Sequence, residues 1–169
     1  MLVSIFHVIS FAQKNVVKTS LLGPIIKTGS LSYERILGEK SSLQLGFLYT
    51  GAKIYGVKFN GFAVTTDFRY YLSKTRAPDG LYLGAFVRYI DVDLDEEATN
   101  TSGMLQSFGG GVVVGRQWIF MERISLDIFV GPEYIPGEID AVSGDSGELQ
   151  ISGSFGLLPR FGLNLGLVF

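Results

Sequence analysis

The sequence predicts an all-β fold, an eight-stranded antiparallel up-and-down barrel that crosses a membrane. Three observations lead there. Apolar and polar residues alternate with a period of two through most of the chain after Val16. The chain carries 22 glycines among 169 residues, about twice the usual share of ~7%, so few stretches could hold a long helix. Hydrophobic residues reach 47% and charged ones only 18%, yet no run of 18 uncharged apolar residues exists that could span a bilayer as a helix.

The alternation is strictest at the C-terminus. Phe161, Leu163, Leu165, Leu167 and Phe169 share one face, and Gly162, Asn164, Gly166 and Val168 the other. Leu43 to Tyr49, Phe62 to Leu72, Leu81 to Tyr89 and Leu126 to Val130 repeat the pattern, as do the shorter stretches around Leu31–Tyr33 and Val112–Val114. The first strand, around Val16 to Leu22, is the weakest. Tight turns are expected at Gly38–Ser41, at Lys74–Gly80 and near Met121–Arg123. Longer loops are expected at Gly23–Gly29, Ala52–Asn60, Asp93–Gly103 and Ile135–Ser154, the last two polar and acidic. Short turns at one end and long loops at the other are the asymmetry of outer-membrane barrels. In that topology the acidic stretches Asp91–Glu97 and Glu138–Glu148 lie at one end, facing outside.

Alternation alone does not say which face is inside, and a soluble lipocalin-like binding barrel would point its apolar face inward. Two features favour lipid outside. The Phe/Leu/Tyr face lacks Lys and Glu along its clearest strands, and the polar face is rich in glycine, which a narrow lumen needs. Glu34, Asp67, Arg69, Arg88 and Asp127 fall on that polar face and are expected to form a lumen charge network, with Tyr71, Tyr82 and Phe86 adding bulk. A plugged lumen and a narrow channel for small solutes both fit this arrangement. Arg116 falls on the outward face, where it must sit near the interface and snorkel. Trp118, Phe120, Tyr134, Tyr49 and Phe169 are candidates for aromatic girdles.

The chain opens with 13 residues free of formal charge. Leu2–Ala12 has the length of a signal-peptide apolar region, and Ser10-Phe11-Ala12 resembles a cleavage site, giving a signal over 1–12 and a barrel over 13–169. No Lys or Arg precedes the apolar run, so a first strand or buried helix is the other reading. His7, the single histidine, lies inside that segment, and cysteine is absent. The barrel then has no Ser-His-Asp or Cys-His machinery and no imidazole or thiolate ligand set, so neither catalysis nor a cofactor is expected. Asp91, Asp93 and Asp95 open like a calcium loop, but Glu96 stands where the loop's glycine belongs, which makes a solvated acidic loop the better reading. Gly109-Gly110-Gly111 lacks the Lys-Ser/Thr of a phosphate loop and is read as crowding at the start of a strand. A net charge of −2 without a basic stripe speaks against nucleic acid.

The terminal Phe161-x-Leu163-x-Leu165-x-Leu167-x-Phe169 resembles the C-terminal recognition strand of bacterial outer-membrane proteins. Leu22-Gly23-Pro24, Ser30 to Arg35 and Gln117-Trp118-Ile119-Phe120 resemble a domain-of-unknown-function family of small outer-membrane barrels, with the general shape of the OmpA/OmpX type. The resemblance implies location in the bacterial outer membrane. It implies outer-membrane lipids and the barrel-assembly machinery as partners, the latter reading Phe161 to Phe169. A monomer with a structural or surface-interaction role, and an extracellular partner at the acidic loops, complete the expectation.

Overall fold

The structure is a computed structural model, and it describes residues 15–54, 57–96, 101–136, 140–143 and 156–169. The expected signal segment with His7, and most of the Glu138–Glu148 stretch, lie outside the described residues. Nine strands follow in chain order: β1 Asn15–Ser20, β2 Thr28–Ile36, β3 Ser41–Ile54, β4 Val57–Tyr71, β5 Gly80–Glu96, β6 Thr101–Phe120, β7 Ile124–Tyr134, β8 Asp140–Ser143 and β9 Leu157–Val168. A single turn of 3-10 helix, Gly23–Ile26, sits between β1 and β2.

Each strand pairs antiparallel with its neighbours, and the β5–β6 pairing closes the sheet on itself. β7 and β8 both pair with β6 in one register: Tyr134 opposes Gly110 and, six residues further on each side, Asp140 opposes Met104. They are two pieces of one strand, so the wall is eight strands wide. A circuit of partners runs Val16, Glu34, Gln44, Asp67, Phe86, Gly111, Glu133, Leu158; extending the β1–β9 register past the end of β1 would bring it back at position 26, ten residues beyond Val16. That stagger tilts the strands and fixes the width of the interior, which in an eight-stranded barrel is just wide enough for side chains to fill.

The β1–β9 seam joins the first and last strands of the barrel. Asn15 N–H donates to the Phe169 carbonyl at 2.7 Å, and Phe169 N–H donates to the Asn15 carbonyl at 2.9 Å. Two of the expected tight turns brace each other beneath the barrel. Tyr71 N–H donates to the Lys40 carbonyl at 2.7 Å and Ala77 N–H to the Glu39 carbonyl at 2.8 Å. Gly80 ends that region at φ 119°, where a Cβ would also collide with the Ser73 side chain.

The loops at the other end are shorter than expected, because the strands are longer. Ala52–Asn60 is mostly strand, with β3 running to Ile54 and β4 starting at Val57. Asp93–Gly103 is strand at both ends, and part of Ile135–Ser154 is β8. Polar residues do not end a strand that still has a partner, and backbone pairing in the tall β4–β5–β6 wall carries the ladder past the apolar residues. Gly109-Gly110-Gly111 consequently falls in the middle of β6, not at its start. β1 is shorter than expected and ends at Ser20.

Candidate functional site

The interior holds most of the buried polar and charged side chains, beside apolar clusters around Tyr82 and Phe86 and around Ile90 and Leu105, while the outer surface is largely apolar and exposed. Leu31, Leu45, Phe47, Leu83, Val112, Val130, Phe161 and Leu167 are all exposed on the outer surface. So much contiguous apolar surface is incompatible with water and fits lipid. This overturns the soluble lipocalin-like alternative, since the Phe/Leu face lies outside.

The apolar band has aromatic borders. On the upper side Tyr49, Phe62, Tyr89, Phe108 and Tyr134 follow one another around β3 to β7. Tyr49 opposes Phe62, Tyr89 opposes Phe108, and the Phe62 and Tyr89 rings lie 6.2 Å apart. Trp118, Phe120 and Phe169 sit near the lower rim, where Arg116 lays its guanidinium over Trp118 at 5.1 Å. Its outward position is thus matched by an aromatic partner. Twelve residues separate Phe108 from Phe120, which at ~3.3 Å per residue and a tilt of ~40° spans roughly 30 Å, the thickness of a bilayer's hydrocarbon core.

Asp91, Asp93 and Asp95 lie above this band on the outer face of β5, not in a loop. On an extended strand, alternate residues stand about 6–7 Å apart in a line and cannot wrap one cation. Asp91 Oδ2 instead accepts from Gln106 Nε2 at 3.1 Å and from the Tyr89 hydroxyl at 3.3 Å, and Asp95 stands opposite Lys58.

The five charged residues read as a lumen network all point inside, in two layers. The lower layer is centred on Lys18. Its Nζ lies 2.6 Å from Glu34 Oε2 and 3.2 Å from Asp127 Oδ2, and donates to Gln117 Oε1 at 2.7 Å. Arg69 Nη1 meets the same Asp127 oxygen at 2.9 Å. The Tyr71 hydroxyl donates to Glu34 Oε1 at 2.7 Å, the Tyr82 hydroxyl donates to Asp127 Oδ1 at 2.8 Å, and Ser42 Oγ also donates to Glu34. Arg69 packs its guanidinium over the Tyr82 ring at 4.6 Å. The strand opposite makes room: a Cβ at Gly115 would collide with the Tyr82 hydroxyl. Lys18, Glu34, Arg69, Gln117 and Asp127 are at most 1% exposed.

The upper layer holds two separate pairs. Arg88 Nη1 contacts both oxygens of Glu133 at 3.1 Å, and Arg160 Nη1 contacts Asp67 Oδ1 at 3.3 Å. Arg160 also stacks on Phe86 at 3.9 Å and approaches Phe129 at 5.2 Å. Of the five residues read from the sequence, only Arg69 and Asp127 therefore bind each other. Glu34, Asp67 and Arg88 take Lys18, Arg160 and Glu133 as partners, none of which the sequence reading included. A signal for the omission existed: three carboxylates and two arginines leave an excess negative charge that a buried layer cannot hold. With the three partners added, Lys18, Arg69, Arg88 and Arg160 face Glu34, Asp67, Asp127 and Glu133, and the charge of these two layers balances among the described residues.

Residues 1–148 match the model of a family described as a protein of unknown function, DUF3575. The chain belongs to this family. No curated protein matches it. Its fold is that of outer-membrane barrels of known structure. It is similar to the N-terminal β-barrel domain of Pseudomonas aeruginosa OprF, with a TM-score of 0.61 and 14% identity over 93% of this chain and 96% of that one. Neisserial surface protein A gives a TM-score of 0.55 and 14% identity, covering 92% of each chain. A major outer membrane protein from Thermus thermophilus gives 0.62 and 14%, covering 93% of this chain and 99% of that one.

Proposed function

We propose that this chain is a non-catalytic barrel of the bacterial outer membrane, closed to ions by its lower charge layer, with a structural or surface-interaction role. The single observation that carries the reading is Lys18, buried on β1 and in contact with Glu34 on β2 and Asp127 on β7. Moving an ion through that layer would separate desolvated opposite charges, each step costing several kcal/mol. The band of exposed Phe, Leu and Val supplies the contact with outer-membrane lipids. The outward face of β9, Phe161 to Phe169, is what the barrel-assembly machinery would read. The polar wall above the aromatic belt, with Asp91, Asp93 and Asp95, is the part available to an extracellular partner. The closed sheet fits a monomer.

Planar-bilayer recording tests the plug. Purified protein should give no large, steady conductance, whereas Lys18→Ser combined with Asp127→Ser should give one. Steady conductance by the unaltered protein would overturn the reading in favour of a narrow channel.

A further inference from the structure

Above the closed layer the lumen is only partly filled, by an apolar cluster of Ala63, Ile90, Leu105 and Ile135. A cavity of about 260 Å³ is lined by Gln44, Asp67, Arg88, Phe129, Arg160 and Asn164, with serine hydroxyls from β1 and β2 along one side. It lies where the wall is lowest. β1 makes its last backbone bond to β9 at Leu21 N–H to the Leu163 carbonyl, while β9 rises on to Leu157 and β3 to Ile54.

Three buried polar atoms on this lining make no hydrogen bond among the described residues: Gln44 Oε1, Asp67 Oδ2 and Arg88 Nε. Gln44 and Asp67 are 3% and 2% exposed, so bulk water does not reach them freely. Buried polar groups are ordinarily satisfied, and these ask for a molecule that brings hydrogen-bond donors and at least one acceptor. The charges on the lining are already matched, Arg88 with Glu133 and Arg160 with Asp67. An ion of either sign would unbalance them in a low-dielectric space. Phe129 adds an apolar surface. The volume lies just below the ~300 Å³ at which ordinary small-molecule pockets begin.

We infer that the upper lumen is a blind binding site for a small, neutral, hydroxyl-rich group of the size of one sugar ring. Hydroxyls give donors to Asp67 and Gln44 and an acceptor to Arg88 Nε, and a C–H face of the ring packs on Phe129. The same chemistry comes from a free sugar or from the sugar headgroup of a glycolipid entering over the low β1–β2 side. The inference rests on the proposed closure of the layer beneath, which makes this a site of binding and not of passage. The two can fail separately, since conductance reads the layer and titration reads the cavity.

The test titrates the folded, leucine-methyl-labelled barrel, held in a sugar-free amine-oxide detergent, with methyl glucoside, octyl glucoside and dodecylphosphocholine. The Leu48 methyl signals, on the cavity lining, report binding. Methyl glucoside should shift them saturably, which identifies a free sugar; a shift with octyl glucoside alone identifies a headgroup source. Gln44→Met keeps the side-chain volume but removes the amide, and should weaken binding up to about tenfold. Gly46→Val, whose Cβ would sit 3.3 Å from Ser32 Oγ, fills space and should abolish it. Heat-modifiable migration confirms that each variant is folded. No shift with either glucoside, an equal shift with dodecylphosphocholine, or unchanged binding in both folded variants would overturn the proposal.

Discussion

The two halves of the lumen use the same residue types to opposite ends. In the lower half, four charges share partners: Lys18 touches two carboxylates, and Asp127 Oδ2 takes both Lys18 and Arg69. In the upper half each arginine has its own carboxylate, the arginines but not the carboxylates are partly exposed, and a cavity remains beside them. Shared partners make the lower layer a single unit in which no charge can leave without stranding another. Separate pairs leave the upper half adjustable. Position around the staggered wall produces the difference, because β1 ends at Ser20, at the cavity wall, and places its one lumen cation, Lys18, in the lower layer.

Removing that cation should have the largest effect. Lys18→Met leaves Glu34 and Asp127 facing each other with less positive charge, and should destabilise the barrel by about 3–5 kcal/mol. Urea unfolding in detergent would read this, and a loss below 1 kcal/mol would mean that water already fills the layer. Arg88→Met should cost less, about 1–2 kcal/mol, because its side chain is 17% exposed and Glu133 can be hydrated through the cavity. Equal losses for the two variants would erase the distinction between the halves. Tyr71→Phe sharpens it at the smallest scale. Glu34 would keep Lys18 and Ser42, so the same unfolding measurement should show about 1 kcal/mol, the worth of one hydrogen bond.

Much of this fold was legible because period-two alternation records which residues face lipid, and lipid tolerates no charge in the middle of the band. Phe161 to Phe169 and Leu43 to Tyr49 could be placed on the outer face by counting alone. Above the band that record stops. Asp91, Asp93 and Asp95 have water on their outer side, so composition marked them as loop while backbone pairing to β4 and β6 kept them in a strand. The lumen residues divide similarly. Glu34, Asp67, Arg69, Arg88 and Asp127 stand in strongly alternating segments and could be assigned a face. Lys18 lies in the six-residue β1, too short for alternation to speak, and Arg160 stands beside Pro159, a residue that reads as a break. Their pairing depends on which strands lie across the barrel from each other, and the stagger that decides this is a property of the closed sheet.

Pro159 has a further consequence. Leu163 gives its carbonyl to Leu21, so odd-numbered residues of β9 turn their backbone groups toward β1, and Pro159 is one of them. At that height β1 has already turned away into Gly23–Ile26. Among the described residues this stretch of β9 is therefore a raw border of the sheet, a place where a strand of another molecule could be stitched on. At the point where such a stitch would need an N–H, proline has none to offer. In a membrane crowded with half-assembled strands, the ring protects its own gap from recruiting a stranger.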